Sequence, residues 1–265
     1  MVCWGHRCAF AMLELLVLAS PERLQHWLLA LLINAVLIAL AQRLPLLTRA
    51  GWVHAGVLGT LLLGGLDWPG WWAVVLYLAL GSLVTRLGYR RKLEQGLAED
   101  RGGRRGPENV WGSAATGAAL AVLCVLPSAP VTLLEIGFAA SFAAKLADTC
   151  GSEIGKRWGR RTVLITTLRP VPPGTEGAIS LEGSLASLVG SALMALLMLK
   201  LGLLQGGAAW LLVTLVGLLA TLLESLIGAS LQQRLPWLSN ELVNAIQTLI
   251  AALVAMAIAQ PLGLA

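Results

Sequence analysis

Eight apolar segments separated by short polar stretches dominate this 265-residue chain. A helix that crosses a bilayer needs about 20 mainly apolar residues. The predicted helices are Gln25–Ala41, His54–Leu66, Trp71–Leu87, Asn109–Leu126, Val131–Thr149, Ile179–Leu201, Ala208–Leu231 and Asn240–Gln260. The second is short enough to suit a re-entrant segment instead. Only 12% of the residues are charged, whereas soluble domains carry about 25%. The sequence therefore predicts an all-α polytopic integral membrane protein with about eight transmembrane helices.

The distribution of lysine and arginine predicts the orientation of these helices. With eight crossings, 16 of the 19 Lys and Arg residues fall on one side of the membrane, and only Arg7, Arg23 and Lys200 fall on the other. Cytoplasmic loops are the ones enriched in cations. The basic side is therefore predicted to be cytoplasmic, with both termini outside.

No linker divides the chain into two cores, so residues 24–265 are predicted to form a single transmembrane catalytic domain. Residues 1–23 are predicted to be a flexible or interfacial leader. A signal peptide is disfavoured because Glu14 interrupts its apolar part.

Polar residues cluster where the predicted helices meet the cytoplasmic side. Asn109 begins the fourth helix, Lys145 and Asp148 end the fifth, Glu224 lies in the cytoplasmic half of the seventh, and Asn244 begins the eighth. Ionisable groups inside a membrane are costly and indicate function. These residues are predicted to converge on one cytoplasm-facing cavity, although helix capping alone would explain Asn109.

The segment from Lys145 to Glu182 is the main polar island of the chain. On a continuous helix, Asp148 and Glu153 would point about 140° apart. Gly151 is expected to break the helix, so that both carboxylates can face one ion. Mg²⁺ suits one or two carboxylates together with phosphate. The alternative is an ordinary helix end with ion pairs, in which Lys145 balances Asp148.

Two basic clusters lie on the same side of the predicted bundle. The cations Lys156, Arg157, Arg160 and Arg161 follow the acidic pair and could hold a triphosphate, because arginine binds phosphate in a bidentate manner. Arg104 or Arg105 is the candidate in the earlier loop. Attraction to anionic lipid is the alternative for both clusters.

Two further glutamates belong to the predicted site. Glu176 lies between small residues after a proline-rich run, and Glu182 starts the sixth helix.

Five separated motifs resemble the membrane-embedded phytyl-phosphate kinase family, which includes transmembrane-protein-19-like proteins, and the cyanobacterial and plastid type most strongly. The motifs are ENVWGSAATG, LADTCGSEIGK, VPPGTEGAISLEG, LLESLIGASLQ and LSNELVNAIQT. They occur in order between Glu108 and the end of the last helix.

The resemblance implies transfer of a phosphoryl group from a nucleoside triphosphate to phytyl phosphate, an isoprenoid monophosphate, giving phytyl diphosphate. That product feeds tocopherol biosynthesis. A more distant likeness to dolichol kinase and phytol kinase favours CTP. The membrane would be a bacterial plasma or thylakoid membrane of cyanobacterial type.

Together, the residues and the resemblance give an expected set of roles. Asp148 and Glu153 would hold Mg²⁺, with Glu176, Glu182 or Glu224 as further metal ligands. Lys145 and Glu176 join the two carboxylates as catalytic residues. Residues expected to hold the nucleotide or phosphates are Lys156, Arg157, Arg160, Arg161, Asn109 and Asn244.

Several alternatives stay open at this point. A kinase of a free isoprenoid alcohol and a cytidylyltransferase that forms a CDP-lipid would use similar residues. A transporter of an anionic solute would need polar residues throughout the bilayer. The net charge of +5 is explained by membrane topology, so no nucleic-acid partner is predicted. The sequence leaves the oligomeric state open.

Overall fold

The computed structural model describes residues 20–232 and 234–265. The long helices are α1 (Pro21–Ala41), α2 (Arg49–Arg86), α4 (Pro107–Leu123), α5 (Val131–Trp158), α6 (Leu181–Lys200), α7 (Gly206–Ile227) and α8 (Asn240–Ala259). The short elements are helix α3 (Tyr89–Glu94), a 3₁₀ turn (Asp100–Gly103), strands β1 (Thr162–Leu164) and β2 (Ala178–Ser180), and a π turn (Gly228–Gln232).

Helix α2 is a hairpin of two helical limbs rather than one straight rod. Leu66 and Asp67 leave the helical conformation, and Asp67 has a φ of 52°. A Cβ added at Gly51 or at Gly81 would collide with the same residue, Arg105. In a straight helix these glycines would lie about 45 Å apart. The chain therefore reverses at 66–67, and the limbs correspond to the separate second and third helices predicted from the sequence.

Within the described part of the chain, five helices are long and apolar enough to cross a membrane: α1, α2, α6, α7 with its π turn, and α8. Their outer faces carry exposed leucines, as on α1, where Leu28, Leu32 and Leu40 are all more than half exposed. The predicted class, an all-α polytopic membrane protein, is confirmed. The number of eight crossings stays a prediction, since α4 has only 17 residues and α5 ends in charged turns.

Helix α5 is the centre of the bundle. It packs against α2, α4, α6, α7 and α8, and its residues from Ile136 to Ala147 are almost completely buried. Small residues allow this close packing, because a Cβ at Gly190 of α6 would lie 3.0 Å from Cβ of Cys150. The site residues of α5 are therefore on a rigid element.

The prediction that Gly151 breaks the fifth helix is wrong. Helix α5 continues nine residues beyond the expected end at Thr149, to Trp158. Gly151 is needed for packing, because a Cβ there would collide with Oγ of Ser187 and lie 3.3 Å from the backbone oxygen of Gly183. Asp148 and Glu153 consequently project in different directions.

A small antiparallel hairpin replaces the expected start of the sixth helix. Thr162 pairs with Ser180 and Leu164 with Ala178. Ser180 then caps α6, since its hydroxyl accepts a hydrogen bond from the Gly183 amide at 3.1 Å. The hairpin positions the loop that carries Glu176. Of the predicted leader, residues 1–19 lie outside the described residues, and α1 begins at Pro21.

Candidate functional site

One end of the bundle contains a polar cavity of about 450 Å³. Helices α4, α6 and α8 begin there and α5 and α7 end there, so polar residues distant in sequence come together. Five cations line the cavity: Arg101, Arg104, Arg105, Lys145 and Lys156. Such a combination of cations and carboxylates suits a phosphorylated ligand.

Most of the predicted site residues line this cavity. Helix α5 contributes Lys145, Asp148, Glu153 and Lys156. The other elements contribute Asn109, Glu176, Glu224 and Asn244. Both candidates from the earlier loop, Arg104 and Arg105, are also there. The predicted convergence on one cavity therefore agrees with the structure, while the individual roles stay predictions.

The structure does not bring four predicted residues to the cavity: Arg157, Arg160, Arg161 and Glu182. The Arg157 guanidinium lies over the Trp158 ring, 4.8 Å from its centroid. The Arg160 side chain is 92% exposed, and its amide donates to Glu182 at 3.4 Å. The continuation of α5 to Trp158 carries this cluster past the cavity.

Lys145 and Asp148 form an ion pair one helical turn apart. Nζ of Lys145 lies 2.5 Å from Oδ2 of Asp148, and both side chains are largely buried, at 8% and 16% exposure. Charged hydrogen bonds of this kind are roughly twice as strong as neutral ones. The pair fixes both side chains at the inner wall of the cavity.

Glu153 has a different environment from the one expected for a metal ligand. It pairs with Lys92, and both side chains are almost completely buried. Nζ of Lys92 also donates to the backbone oxygen of Thr85 at 2.8 Å. Although Glu153 lines the cavity, its buried partner indicates a role in anchoring α3 to α5.

Lys156 extends this network to the rim of the cavity. Its Nζ lies 3.8 Å from Glu153 and 3.0 Å from Oε1 of Glu99. Burial opposes ionisation of Glu99, but the nearby Lys156 ammonium holds the pKa of that carboxyl below its ordinary value. Glu99 therefore stays ionised and ties the loop between α3 and α4 to α5.

The sequence analysis missed Lys92. Lys92 is one of six cations between Arg90 and Arg105, and a run of this kind is typical of a solvated basic loop. Nothing in the local sequence marks Lys92 as buried, because its position on the inner face of the short α3 depends on the distant partner Glu153.

Glu176 and Glu224 enter the cavity from opposite sides, the loop before β2 and the helix α7. Partial desolvation raises the pKa of Glu176, Lys156 opposes that effect, and Asp148 and Glu99 add to it. Glu224 lies within electrostatic range of Asp148, Lys145 and Glu176. Neither carboxylate forms a hydrogen bond or ion pair with another described residue, so both side chains are available to a ligand.

The two predicted asparagines differ in how they are held. Oδ1 of Asn109 accepts a hydrogen bond from the Gly106 amide at 2.9 Å and so caps α4. Oδ1 of Asn244 is buried and has no hydrogen-bond partner among the described residues. An unsatisfied buried oxygen is costly, and at a cavity wall it indicates a ligand contact.

The cavity offers donors that suit Mg²⁺ together with a phosphate. Among the described residues, no three His, Cys, Asp or Glu side chains are close enough to hold a metal ion by themselves. Mg²⁺ usually takes one or two carboxylates and keeps several other oxygen ligands. One or two of the cavity carboxylates Asp148, Glu176 and Glu224, with the unpaired Asn244 oxygen, fit an ion of this kind.

The helices define a polytopic integral membrane protein, and a polar cavity lined by charged residues lies at one end of its bundle. Residues 32–252 match the model of the family described as integral membrane protein DUF92, and the chain belongs to this family.

Three relatives come from Synechocystis, Arabidopsis thaliana and Methanocaldococcus jannaschii. Over 211 residues the chain is 48% identical to the uncharacterized membrane protein sll0875 of Synechocystis, covering 78% of this chain and 81% of the relative. It is 39% identical over 230 residues to the chloroplastic protein VTE6 of Arabidopsis thaliana, covering 84% and 67%. It is 29% identical to membrane protein MJ0933 of Methanocaldococcus jannaschii, covering 81% and 87%. No solved structure gives a significant match.

Proposed function

We propose that this protein is a Mg²⁺-dependent isoprenoid-phosphate kinase that converts phytyl phosphate to phytyl diphosphate, with CTP as the favoured donor. The observation that carries the proposal is that Lys145, Lys156 and Arg105 line the same cavity as Asp148 and Glu224. The choice of phytyl phosphate as substrate follows from the resemblance of the five sequence motifs to the phytyl-phosphate kinase family. Phosphoryl transfer depends mainly on positioning and charge neutralisation, for which such a cavity is suited.

In the proposed reaction, the cations of the cavity hold the phosphates of both substrates. Lys156 is positioned by Glu99, and Lys145 by Asp148. Asp148, with Glu176 or Glu224 and the Asn244 oxygen, would hold Mg²⁺, and the ion would neutralise charge on the transferred phosphoryl group. A phosphate acceptor is already ionised near neutral pH, so no strong general base is needed.

The position of the cavity at one end of the bundle supports this function. We propose that this end faces the cytoplasm, because the basic loops lie there. A nucleotide can then arrive from water while the isoprenoid chain stays in lipid. The proposed location is a plasma or thylakoid membrane.

Aromatic packing further along α5 favours an enzyme over a transporter. Phe142 and Phe138 lie one and two turns from Lys145 along α5, and both are completely buried. Their ring centroids are 5.0 Å apart, and Phe142 also packs on Tyr77 at 5.5 Å. An anionic solute would meet aromatic rings on its way through the bundle.

Purified protein with phytyl phosphate, Mg²⁺ and each nucleoside triphosphate tests the proposal. Phytyl diphosphate is expected with CTP as the best donor, and chelation of Mg²⁺ is expected to stop its formation. Mass analysis of the lipid separates the alternatives: a free-alcohol kinase acts on phytol, and a cytidylyltransferase leaves CMP on the lipid and releases pyrophosphate. Absence of any new lipid product with all donors contradicts an enzymatic role.

Glu182 and Glu224 provide a matched comparison of a residue outside the cavity with one inside it. Glu182→Gln is expected to change turnover by no more than about twofold, because the polar partner of its side chain among the described residues is the exposed Arg160. Glu224→Gln is expected to lower turnover on the order of 10²-fold by removing a preorganised charge. Steady-state kinetics of the two variants check this difference, and equal effects would contradict the assignment of the site to the cavity.

A further inference from the structure

A second, apolar crevice of about 40 Å³ adjoins the polar cavity, between the limbs of α2 and helix α4. Its apolar wall consists of Leu47, Ala55, Leu58, Val74, Leu78 and Ala114, with Val110 beside them. Arg105, Asn109 and Ser113 line both spaces, so the crevice meets the cavity at these residues. A ligand at this junction can place a charged group in one space and hydrocarbon in the other.

Arg105 is held rigidly at the junction. Its amide donates to the Leu46 oxygen at 3.1 Å, and its own oxygen accepts from the Thr48 amide at 3.0 Å. The guanidinium donates to the Tyr77 hydroxyl at 2.9 Å and lies 5.3 Å from the centroid of that ring. A guanidinium has five N–H donors, and the described residues accept one hydrogen bond from this one. Donors therefore remain for a phosphate at the mouth of the crevice.

The absence of a side chain at Gly81 leaves room for the Arg105 guanidinium. A Cβ there would lie 2.7 Å from a terminal nitrogen of Arg105. The second limb of α2 thus approaches the junction closely, and Tyr77, one turn earlier on the same limb, holds the arginine from the same side.

We propose that the crevice receives the first carbons of the isoprenoid acceptor while Arg105 binds the acceptor phosphate. This inference rests on the proposed function and names the part of the site that selects the lipid substrate. The crevice is too small for a whole isoprenoid chain, so the distal carbons lie in the bilayer. Ala55, Val74 and Leu78 are only partly buried, which leaves the crevice open toward the hydrocarbon region.

The first test is photolabelling, which does not depend on turnover. The full-length protein in lipid nanodiscs is irradiated with an isoprenyl monophosphate that carries a diazirine on its first isoprene unit. Labelling is expected on the segments around Val74 and Ala114, and unlabelled isoprenyl monophosphate is expected to compete with it. Labelling on the outer lipid-facing surface, or equal competition by phosphatidic acid, would overturn the proposal.

The second test fills the crevice and compares acceptor kinetics. Val74→Phe is expected to lower kcat/KM for the isoprenoid phosphate about tenfold or more, because a change of one methylene group in an apolar pocket changes kcat/KM by about that factor. KM for the nucleotide is expected to stay unchanged. The matched control is Val57→Phe on the first limb of the same hairpin, where the side chain is 48% exposed and outside the crevice.

The results separate this inference from the proposed function. Equal kinetics in Val74→Phe and Val57→Phe would overturn the assignment of the crevice. If the wild-type protein forms no diphosphate, the proposed function falls, and the labelled residues still decide whether an isoprenyl phosphate occupies the crevice. Leu78→Phe, at another partly buried position, repeats both measurements if Val74→Phe fails to fold.

Discussion

Asp148→Asn is expected to abolish phosphoryl transfer while the protein still inserts and folds. Asp148 lies closest to Lys145, at 2.5 Å, and is within electrostatic range of Glu224 and Glu176. Asp148 is therefore the carboxylate that lies near both Lys145 and the other candidate metal ligands, Glu176 and Glu224. Removal of one preorganised charge-stabilising group lowers turnover on the order of 10²–10³-fold, and loss of the metal ion would add to this.

Asparagine is a suitable replacement because it keeps the shape of the side chain and an oxygen that can accept from Lys145. Turnover is measured with the purified variant, and folding is checked by its elution as one species and by its thermal unfolding in detergent. The matched control is Asp67→Asn at the turn of the α2 hairpin, remote from the cavity. Asp67→Asn is expected to keep its turnover, and retained turnover in Asp148→Asn would exclude Asp148 from the site.

The sequence was sufficient to predict most, but not all, of the residues that meet at the cavity. Successive helices in a polytopic bundle alternate in direction, so residues at the end of one helix and the start of the next share one side of the membrane. The structure agrees with this rule for four of the predicted residues, which all line the same cavity: Lys145, Asp148, Glu224 and Asn244.

The direction of side chains could not be predicted, because it depends on packing between helices. Gly151 has the appearance of a helix breaker, but its lack of a side chain serves the contact with Ser187 of α6. A glycine in a membrane helix is compatible with either role. The continuation of α5 then separates Asp148 from Glu153 and carries Arg160 out to solvent.

Charge composition was likewise insufficient to identify buried ions. The sequence of the loop after α2 is strongly basic and predicts a solvated surface, yet Lys92 has no solvent exposure. Its burial depends on Glu153, which lies 61 residues away. A long-range pair of this kind leaves no local pattern in the sequence.

Lys92→Met is expected to destabilise the protein by about 3 kcal/mol, because it leaves a buried carboxylate without its main partner. Glu153 keeps Lys156 at 3.8 Å, and this contact holds the loss near the lower end of the roughly 3–5 kcal/mol typical of broken buried pairs. The substitution also removes the hydrogen bond to the Thr85 oxygen. The free energy of unfolding in detergent measures the effect.

In Lys92→Met, hydrogen exchange is expected to change more in the loop after α3 than in the rest of the protein. Lys92 anchors α3 to α5, and the chain that follows α3 carries Glu99 and Arg105 to the cavity. Hydrogen exchange in residues 89–106 is therefore expected to accelerate in Lys92→Met, with turnover falling as Arg105 loses its fixed position. The neighbouring Arg91 is exposed, so Arg91→Met is the matched control and is expected to change stability by less than about 0.5 kcal/mol.

A double substitution separates the cost of an unpaired charge from the cost of lost packing. In Lys92→Met combined with Glu153→Gln, no buried carboxylate is left without a partner, so much of the stability is expected to return. Recovery of stability without recovery of turnover would show that the pair positions the loop as well as stabilising the fold. If the double variant is as unstable as the sum of the two single variants, the two side chains are not coupled, and the anchoring role of Lys92 is wrong.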